Sequence, residues 1–346
     1  MNVSVNKTMI LFASILLVLM ACNLPSFATA TPPAVITASE VPASTPGITH
    51  TIVPVNLPDK HSNHAGDYDS STTAKQKEAA GGDRFSYGNF ERPFNANTMA
   101  TYFPYLDIVD LTVFQDDVWS YAAMILRGPD DAKKFPGKYA IEIDLDLDGR
   151  GDFLVMVDQP ASTDWSTDGV KVWQDANHDV GGAAVIIADP HPKPGDGYET
   201  LVFDSGKGND PDSAWARISP TDPNTIQLAV KRSILGNDST YMIGAWAGTD
   251  ALNPANFDFN DHMTHTQAGA ASRGYEVYYP IKGLAKIDNT CRVPIGFQAT
   301  GGEPGLCPIF IPPNAPGAPT PAACPPRQCT NGQLPYPDCQ CVLILQ

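Results

Sequence analysis

The sequence predicts an all-β fold: an antiparallel, jelly-roll-like β-sandwich with a disordered N-terminal tether and a small Cys-rich C-terminal segment. Three observations point there. Between about 85 and 279, short runs of β-branched and aromatic residues recur between clusters of Gly, Pro, Asn and Asp, the punctuation expected of strands and turns. Within 138–145, Tyr139, Ile141, Ile143 and Leu145 alternate with Ala140, Glu142 and Asp144, so one strand face is apolar and the other polar, as on a half-buried sheet. Long helical periodicity is missing from the same region,.

The first segment reads as an address. Lys7 precedes an apolar stretch, "MILFASILLVLMA" (9–21), of signal-peptide length,. It ends "LMAC" (19–22), which looks like a bacterial lipobox, in which Cys22 becomes the acylated mature N-terminus and acyl chains hold the protein to the membrane surface,. An ordinary secretory signal cleaved near Ala28 or Ala30 is the alternative. Both place the chain outside the cytoplasm, and the first expects contact with the cell membrane through the lipid anchor only. Residues 1–21 are thus the expected signal peptide. Residues 22–83 are the expected lipidated Cys and Thr/Pro-rich disordered linker, because Pro, Thr, Ser and Ala dominate 23–58 and 59–83 are polar,. His61 and His64 fall in that linker, which offers no fixed ligand geometry.

The sandwich domain is expected at 84–290. Strands are predicted at 106–114, 118–126, 138–145, 153–157, 169–175, 183–187, 198–203, 215–218, 225–230, 240–247 and 275–279,. "KRSILG" (231–236) suggests one helical turn closed by Gly236,. Residues 291–346 turn to Pro, Gly and Cys, too proline-rich for helix or central strand. Cys291, Cys307, Cys324, Cys329, Cys339 and Cys341 all lie there. An even cluster in an exported chain reads as disulfides, with fifteen pairings open. Cys291 with Cys307 is the expected first bridge, because their loop stands apart from the later four cysteines. Zinc is the alternative, since "CPPRQC" has a spacer that zinc sites permit,.

The formal net charge of -16, from 38 acidic and 22 basic residues, excludes nucleic acid as an expected partner, since phosphate binding needs a basic face. The acids are concentrated. "IEIDLDLDGRGDFLVMV" (141–157) sets Asp144, Asp146, Asp148 and Asp152 in one short turn between two strands. Asp148-Gly149 alone makes a good hairpin tip, but it leaves the other three charges unexplained. Alternate Asp residues followed by Gly match the first half of an EF-hand-type Ca²⁺ loop, with the Arg150 carbonyl as a further ligand,. Val155 stands where that loop carries its bidentate Glu, and the flanks are strands. The expectation is therefore a calcium half-loop on a β scaffold, completed from elsewhere; a cation-free acidic hairpin is the alternative. "WQDANHDVGG" (173–182) repeats the alternation with Asp175, Asn177 and Asp179. There, metal and a plain surface loop stay equally open. A looser third cluster, Asp204, Asn209, Asp210 and Asp212, reads as a surface loop,.

Catalytic signatures are not found: there is no G-x-S-x-G, no phosphate-binding loop and no H-E-x-x-H,. His262 and His265 are three apart but have no glutamate base between them. A glycosidase needs only two carboxylates, and the sequence cannot select the pair. Trp119, Trp215 and Trp246 lie in apolar strands and are expected in the core,. Trp165, in the polar "STDWSTDG", is the candidate for an exposed aromatic that stacks on a sugar.

The succession "DDVWSYAAMILRG" (116–128), "GVKVWQDANHD" (169–179) and "TIQLAVKRSILG" (225–236) resembles family 9 carbohydrate-binding modules and DOMON-like sandwiches over about 120 residues, at the level of pattern. "FDFNDHMTHTQAG" and "DNTCR" are also similar to uncharacterised bacterial envelope lipoproteins. The resemblance implies a β-sandwich that binds a ligand, often a sugar, and carries over no binding residue. The expected function is a lipid-anchored, calcium-stabilised binding module for an extracellular ligand such as a polysaccharide. A secreted glycan hydrolase, or a structural envelope protein that engages a partner through its Cys-rich tail, are the alternatives.

Overall fold

The computed structural model describes residues 48–181 and 195–308, together with the backbone of two short strands, Gln333–Pro335 and Cys341–Leu343. The signal segment, Cys22, the start of the linker, the strand expected at 183–187, Cys324, Cys329, Cys339 and the side chain of Cys341 lie outside the described residues.

The strands are β1 (Asn63–Gly66), β2 (Glu91–Arg92), β3 (Ile108–Gln115), β4 (Trp119–Leu126), β5 (Lys138–Asp144), β6 (Phe153–Asp158), β7 (Val170–Gln174) and β8 (Thr200–Asp204). They continue with β9 (Ala214–Ile218), β10 (Thr225–Lys231), β11 (Tyr241–Gly248), β12 (Ile287–Asn289), β13 (Val293–Ile295), β14 (Gln333–Pro335) and β15 (Cys341–Leu343). One sheet has the order β1-β3-β4-β10-β9. The other has the order β2-β12-β11-β5-β6-β7-β8, with β13 also on β11, and β14 pairs with β15 separately. Every strand pair is antiparallel. The all-β sandwich read from the sequence is therefore the observed fold. Among the described residues no helix is long and apolar enough to cross a membrane.

Alternation builds the core. Leu111 and Val113 of β3, Met124 of β4 and Leu228 of β10 face Ile141 and Ile143 of β5, Val155 of β6, Val172 of β7 and Ile243 of β11. The β3–β4 hairpin is closed by Asp116, whose Oδ1 accepts the amides of Val118 and Trp119 at 2.8 and 2.7 Å, a side-chain substitute for turn hydrogen bonds.

The polar faces are also covered, which the strand pattern alone does not indicate. Phe85, Phe90, Phe257 and Phe259 pack with Trp246, Leu154 and Ala140 on the outer side of the second sheet. Glu142 and Asp144, on the polar side of β5, are consequently buried. On the outer side of the first sheet, Trp119, Tyr121 and Trp215 pack with Leu57 and Trp165.

Three expectations are corrected. Described residues ahead of 84 pack with the sandwich instead of forming a linker: β1 pairs with β3, and Asp83 forms a buried ion pair with Arg92. Residues 275–279 are not a strand. The carbonyl of Tyr275 accepts the amides of both Tyr278 and Tyr279, Tyr278 stacks on His265 with centroids 3.8 Å apart, and Val277 is 82% exposed. The apolar letters there serve a turn and a ring stack, not a sheet face. Residues 232–237 form turns and not a helix, closed by Gly236 at φ 68°.

Candidate metal centre

The β5–β6 connection places the predicted acidic loop at the rim of the second sheet. Asp144 Oδ1 accepts the Leu147 amide at 2.7 Å and its Oδ2 accepts the Gly149 amide at 2.9 Å. Asp146 Oδ1 accepts the Asp148 amide at 3.1 Å, and Asp152 Oδ2 accepts the Leu145 amide at 2.7 Å. These bonds curl the chain around its own carboxylates, and Gly149 at φ 89° supplies a left-handed residue at no steric cost. One oxygen from each of Asp144, Asp146 and Asp152 comes within 4.8 Å of the others. Oxygens on opposite sides of a calcium ion are about 4.8 Å apart, given ~2.4 Å bonds, so the three fit one coordination sphere. Asp144 is buried at its base, whereas Asp146 is exposed at its mouth.

The Asp148 carboxylate and the Arg150 side chain pair with each other. Asp148 accepts the Arg150 amide at 2.8 Å and faces its guanidinium at 3.1 Å. Asp148 is thus not one of the three converging carboxylates; its pairing with Arg150 closes the turn instead.

The second predicted loop follows the same hydrogen-bond template. Asp175 Oδ1 accepts from His178 at 2.8 Å, three residues on, and Oδ2 from Val180 at 3.0 Å, five residues on. Asn177 Oδ1 accepts from Asp179 at 3.1 Å. The offsets are those of Asp144 and Asp146, and His178 at φ 59° occupies the place of Leu147 at φ 66°. The loops adjoin: the Asp175 amide donates to the Asp152 carbonyl at 3.0 Å, and His178 Nδ1 lies 3.8 Å from Asp152 Oδ1. Asn177 and Asp179 also engage Asp196, through bonds of 2.9 and 3.1 Å.

Burial drives the Asp144 carboxyl up to about 7, against the opposing pull of Arg292 and the two amides. Asp152 is raised as well, again chiefly by burial. A cation among these oxygens would reverse both directions, since it favours the ionised form.

Glu142, Arg292, Tyr198 and Trp246 support the loop from behind. Glu142 accepts the Tyr198 hydroxyl at 2.8 Å and the Trp246 indole at 3.0 Å, and pairs with Arg292 Nη2 at 3.0 Å. Arg292 Nη1 donates to the Gly149 carbonyl at 2.7 Å. The expected Cys291–Cys307 disulfide adjoins Arg292 and ties its strand end to the segment that follows. A Cβ at Gly151 would fall 1.8 Å from the Tyr198 hydroxyl, so only glycine fits where the loop crosses this network. Sequence reading missed these four residues because Glu142 looks like an ordinary solvent-facing position in an alternating strand.

Beside the network, a cavity of about 30 Å³ is lined by Glu142, Trp246, Asp258, Asn289 and Arg292. It has room for one or two waters and not for a sugar ring. Burial, followed by the charges of Glu142 and Asp261, pushes Asp258 up to about 7 from 3.8. A folded state that holds this proton loses stability as pH rises from about 4 to about 7, where the unfolded chain ionises first. Asp258→Asn should therefore flatten that decline, leaving the variant more stable than the parent at pH 8 but not at pH 4. Thermal melts across that range at saturating calcium provide the check, and parallel profiles would contradict it.

Asp210, Asp212, His265 and Trp165 are held by protein partners. Asp212 accepts from the amides of Thr51 and Ile52 and from His50, while Asp210 holds Lys231 at 2.8 Å. That third acidic cluster anchors the segment beginning at Ile48. His265 is stacked between Phe85 and Tyr278. Trp165 is half-buried: the Arg217 guanidinium lies 4.3 Å over its ring, and its Nε1 donates to the Val55 carbonyl at 2.9 Å. The sequence signal for an open platform fails here because a segment distant in sequence returns over the sheet. No family model, curated protein or solved structure matches the chain.

Proposed function

We propose that this protein is an anchored extracellular binding module whose sandwich is stabilised by Ca²⁺ at the β5–β6 rim, with a polysaccharide as its ligand class. The supporting observation is the convergence of Asp144, Asp146 and Asp152 on one small volume, beside a second loop built on the same template. Oxygen-only donors of this kind suit a hard cation, and calcium tolerates irregular, partly solvated coordination. The exposed side at Asp146 leaves outer coordination positions open to water or to hydroxyl-rich ligands. Lipid attachment at Cys22 belongs to the same proposal and keeps the module at the cell surface.

The test is retention of the full chain on a panel of immobilised polysaccharides in the presence of calcium. Retention that EGTA reverses, without release of reducing ends, supports the proposal. Reducing-end release would move the protein into the hydrolase class, and no retention on any glycan would remove the carbohydrate assignment.

A further inference from the structure

A second group of carboxylates lies at the other end of the sandwich. Glu91 of β2 and Asp288 of β12 are register partners on adjacent strands, where like charges directly opposite each other are unfavourable. One oxygen from each, and one from Asp67, fall within 4.8 Å of one another. Asp107, just ahead of β3, is near enough for its charge to act on all three. Glu91, Asp107 and Asp288 are 1%, 0% and 0% exposed. Among the described residues no lysine or arginine side chain bonds to any of the four. The adjacent Arg92 is committed to Asp83, and Arg127 pairs with Asp69 at the surface.

Each carboxylate is half-satisfied in the same way. One oxygen is fixed by a donor: the Tyr68 amide at Asp67, the Ser70 hydroxyl at Glu91, the Tyr102 hydroxyl at Asp107 and the Ile108 amide at Asp288. The other oxygen, Asp67 Oδ2, Glu91 Oε2, Asp107 Oδ1 or Asp288 Oδ1, is buried with no hydrogen-bond partner. Buried polar atoms without partners are rare in folded proteins and call for an explanation such as an ion. Four of them, one on each member of an anionic cluster, share a single explanation.

We propose that Asp67, Glu91 and Asp288 form a buried Ca²⁺ site distinct from the rim loop, with the half-satisfied carboxylate of Asp107 beside it. Along β11, Asp144 is registered with Met242 and Asp288 with Ala247. That separation of five residues is about 17 Å of strand, so the sites cannot share an ion. The buried group brings together the end of β1, the start of β3, β2 and β12, and so joins an edge of each sheet. Calcium fits better than magnesium, because Glu91 and Asp288 are buried and a buried site suits the ion that dehydrates more readily and tolerates irregular coordination. The inference does not rest on the rim reading.

The test measures calcium bound to the full chain after exhaustive dialysis against metal-free buffer at pH 7.5, by calorimetric titration and elemental analysis. The parent is compared with Glu91→Gln/Asp288→Asn and with Asp144→Asn/Asp146→Asn. The first double variant should lose one equivalent of calcium that the second retains. Without metal, the first should also melt above the metal-free parent, because two repelling charges are gone. Equal calcium content in the parent and the Glu91→Gln/Asp288→Asn variant would overturn the buried site, leaving the carboxylates to share protons; loss confined to the rim variant would do the same while leaving the rim intact. Should the double variant fail to fold, Asp67→Asn gives the same readout: at least a tenfold loss of calcium affinity supports the site, and unchanged affinity refutes it.

Discussion

Asp83→Ala is expected to destabilise the fold by about 3–5 kcal/mol, the range for removing one partner of a buried ion pair. Arg92 is 0% exposed, and all five of its N–H donors are used. Nε and Nη2 reach Asp83 at 2.7 and 3.2 Å. Nη1 donates to the carbonyls of Ala268 and Leu284, each at 3.1 Å, and Nη2 to that of Gly269 at 2.9 Å. The rings of Phe85 and Phe90 lie 5.9 and 5.4 Å from the guanidinium carbon. Removing Asp83 strands that charge among carbonyls and rings, and also deprives the Ala271 amide of its acceptor, held at 2.8 Å. The effect should spread, because Arg92 is what fastens the 268–284 segment over the second sheet. By contrast, Arg150 and Asp148 are 25% and 42% exposed, and breaking that pair should change stability by less than ~1 kcal/mol. Urea unfolding of the full chain, Asp83→Ala and Asp148→Ala at saturating calcium measures the difference. A loss below about 1 kcal/mol for Asp83→Ala would mean that Arg92 finds solvent by local opening.

This contrast also explains what was legible in the sequence. β4, β5, β10 and β11 were readable because each is a contiguous run with β-branched or aromatic residues and a turn at each end. The rim loop was readable for the same reason: Asp144, Asp146 and Asp152 are local in sequence, so spacing alone brings them together. Arg92 and Asp83 gave no such signal, since a charged pair nine residues apart looks like surface until the covering segment is known. β2, β12 and β13 are two or three residues long, too short to display a period. Asp67, Glu91 and Asp288 are scattered along the chain, and only strand pairing reveals that they meet. Trp165 and residues 275–279 misled in the opposite sense. Their local composition was read correctly, but Val55 and Arg217 cover the first, and ring stacking with a turn claims the second.

The proposed rim site predicts the second large effect, on removal of calcium. An ion bound only by the native state stabilises it by about 2.7 kcal/mol when present at 100 times its dissociation constant, and by about 4.1 at 1,000 times. For a folded unit of this size, ~2–4 °C of melting temperature accompanies each kcal/mol, so chelation should lower the midpoint by roughly 5–15 °C. Asp144→Asn should reproduce the rim site's share of that loss. Its side chain keeps an acceptor for one of the two amides but surrenders the charge at the buried base of the loop. Asp146→Asn should do less, because that ligand is at the exposed mouth, where water can replace it. Asp148→Asn should do least, since its carboxylate faces Arg150. The ordering is the decisive part of the measurement. Calcium could stabilise any acidic protein weakly through its surface, but a nonspecific effect would be indifferent to which of three neighbouring aspartates is neutralised. Equal calcium responses in Asp144→Asn and Asp148→Asn, followed by differential scanning calorimetry with and without EDTA, would show that the ion does not sit among Asp144, Asp146 and Asp152.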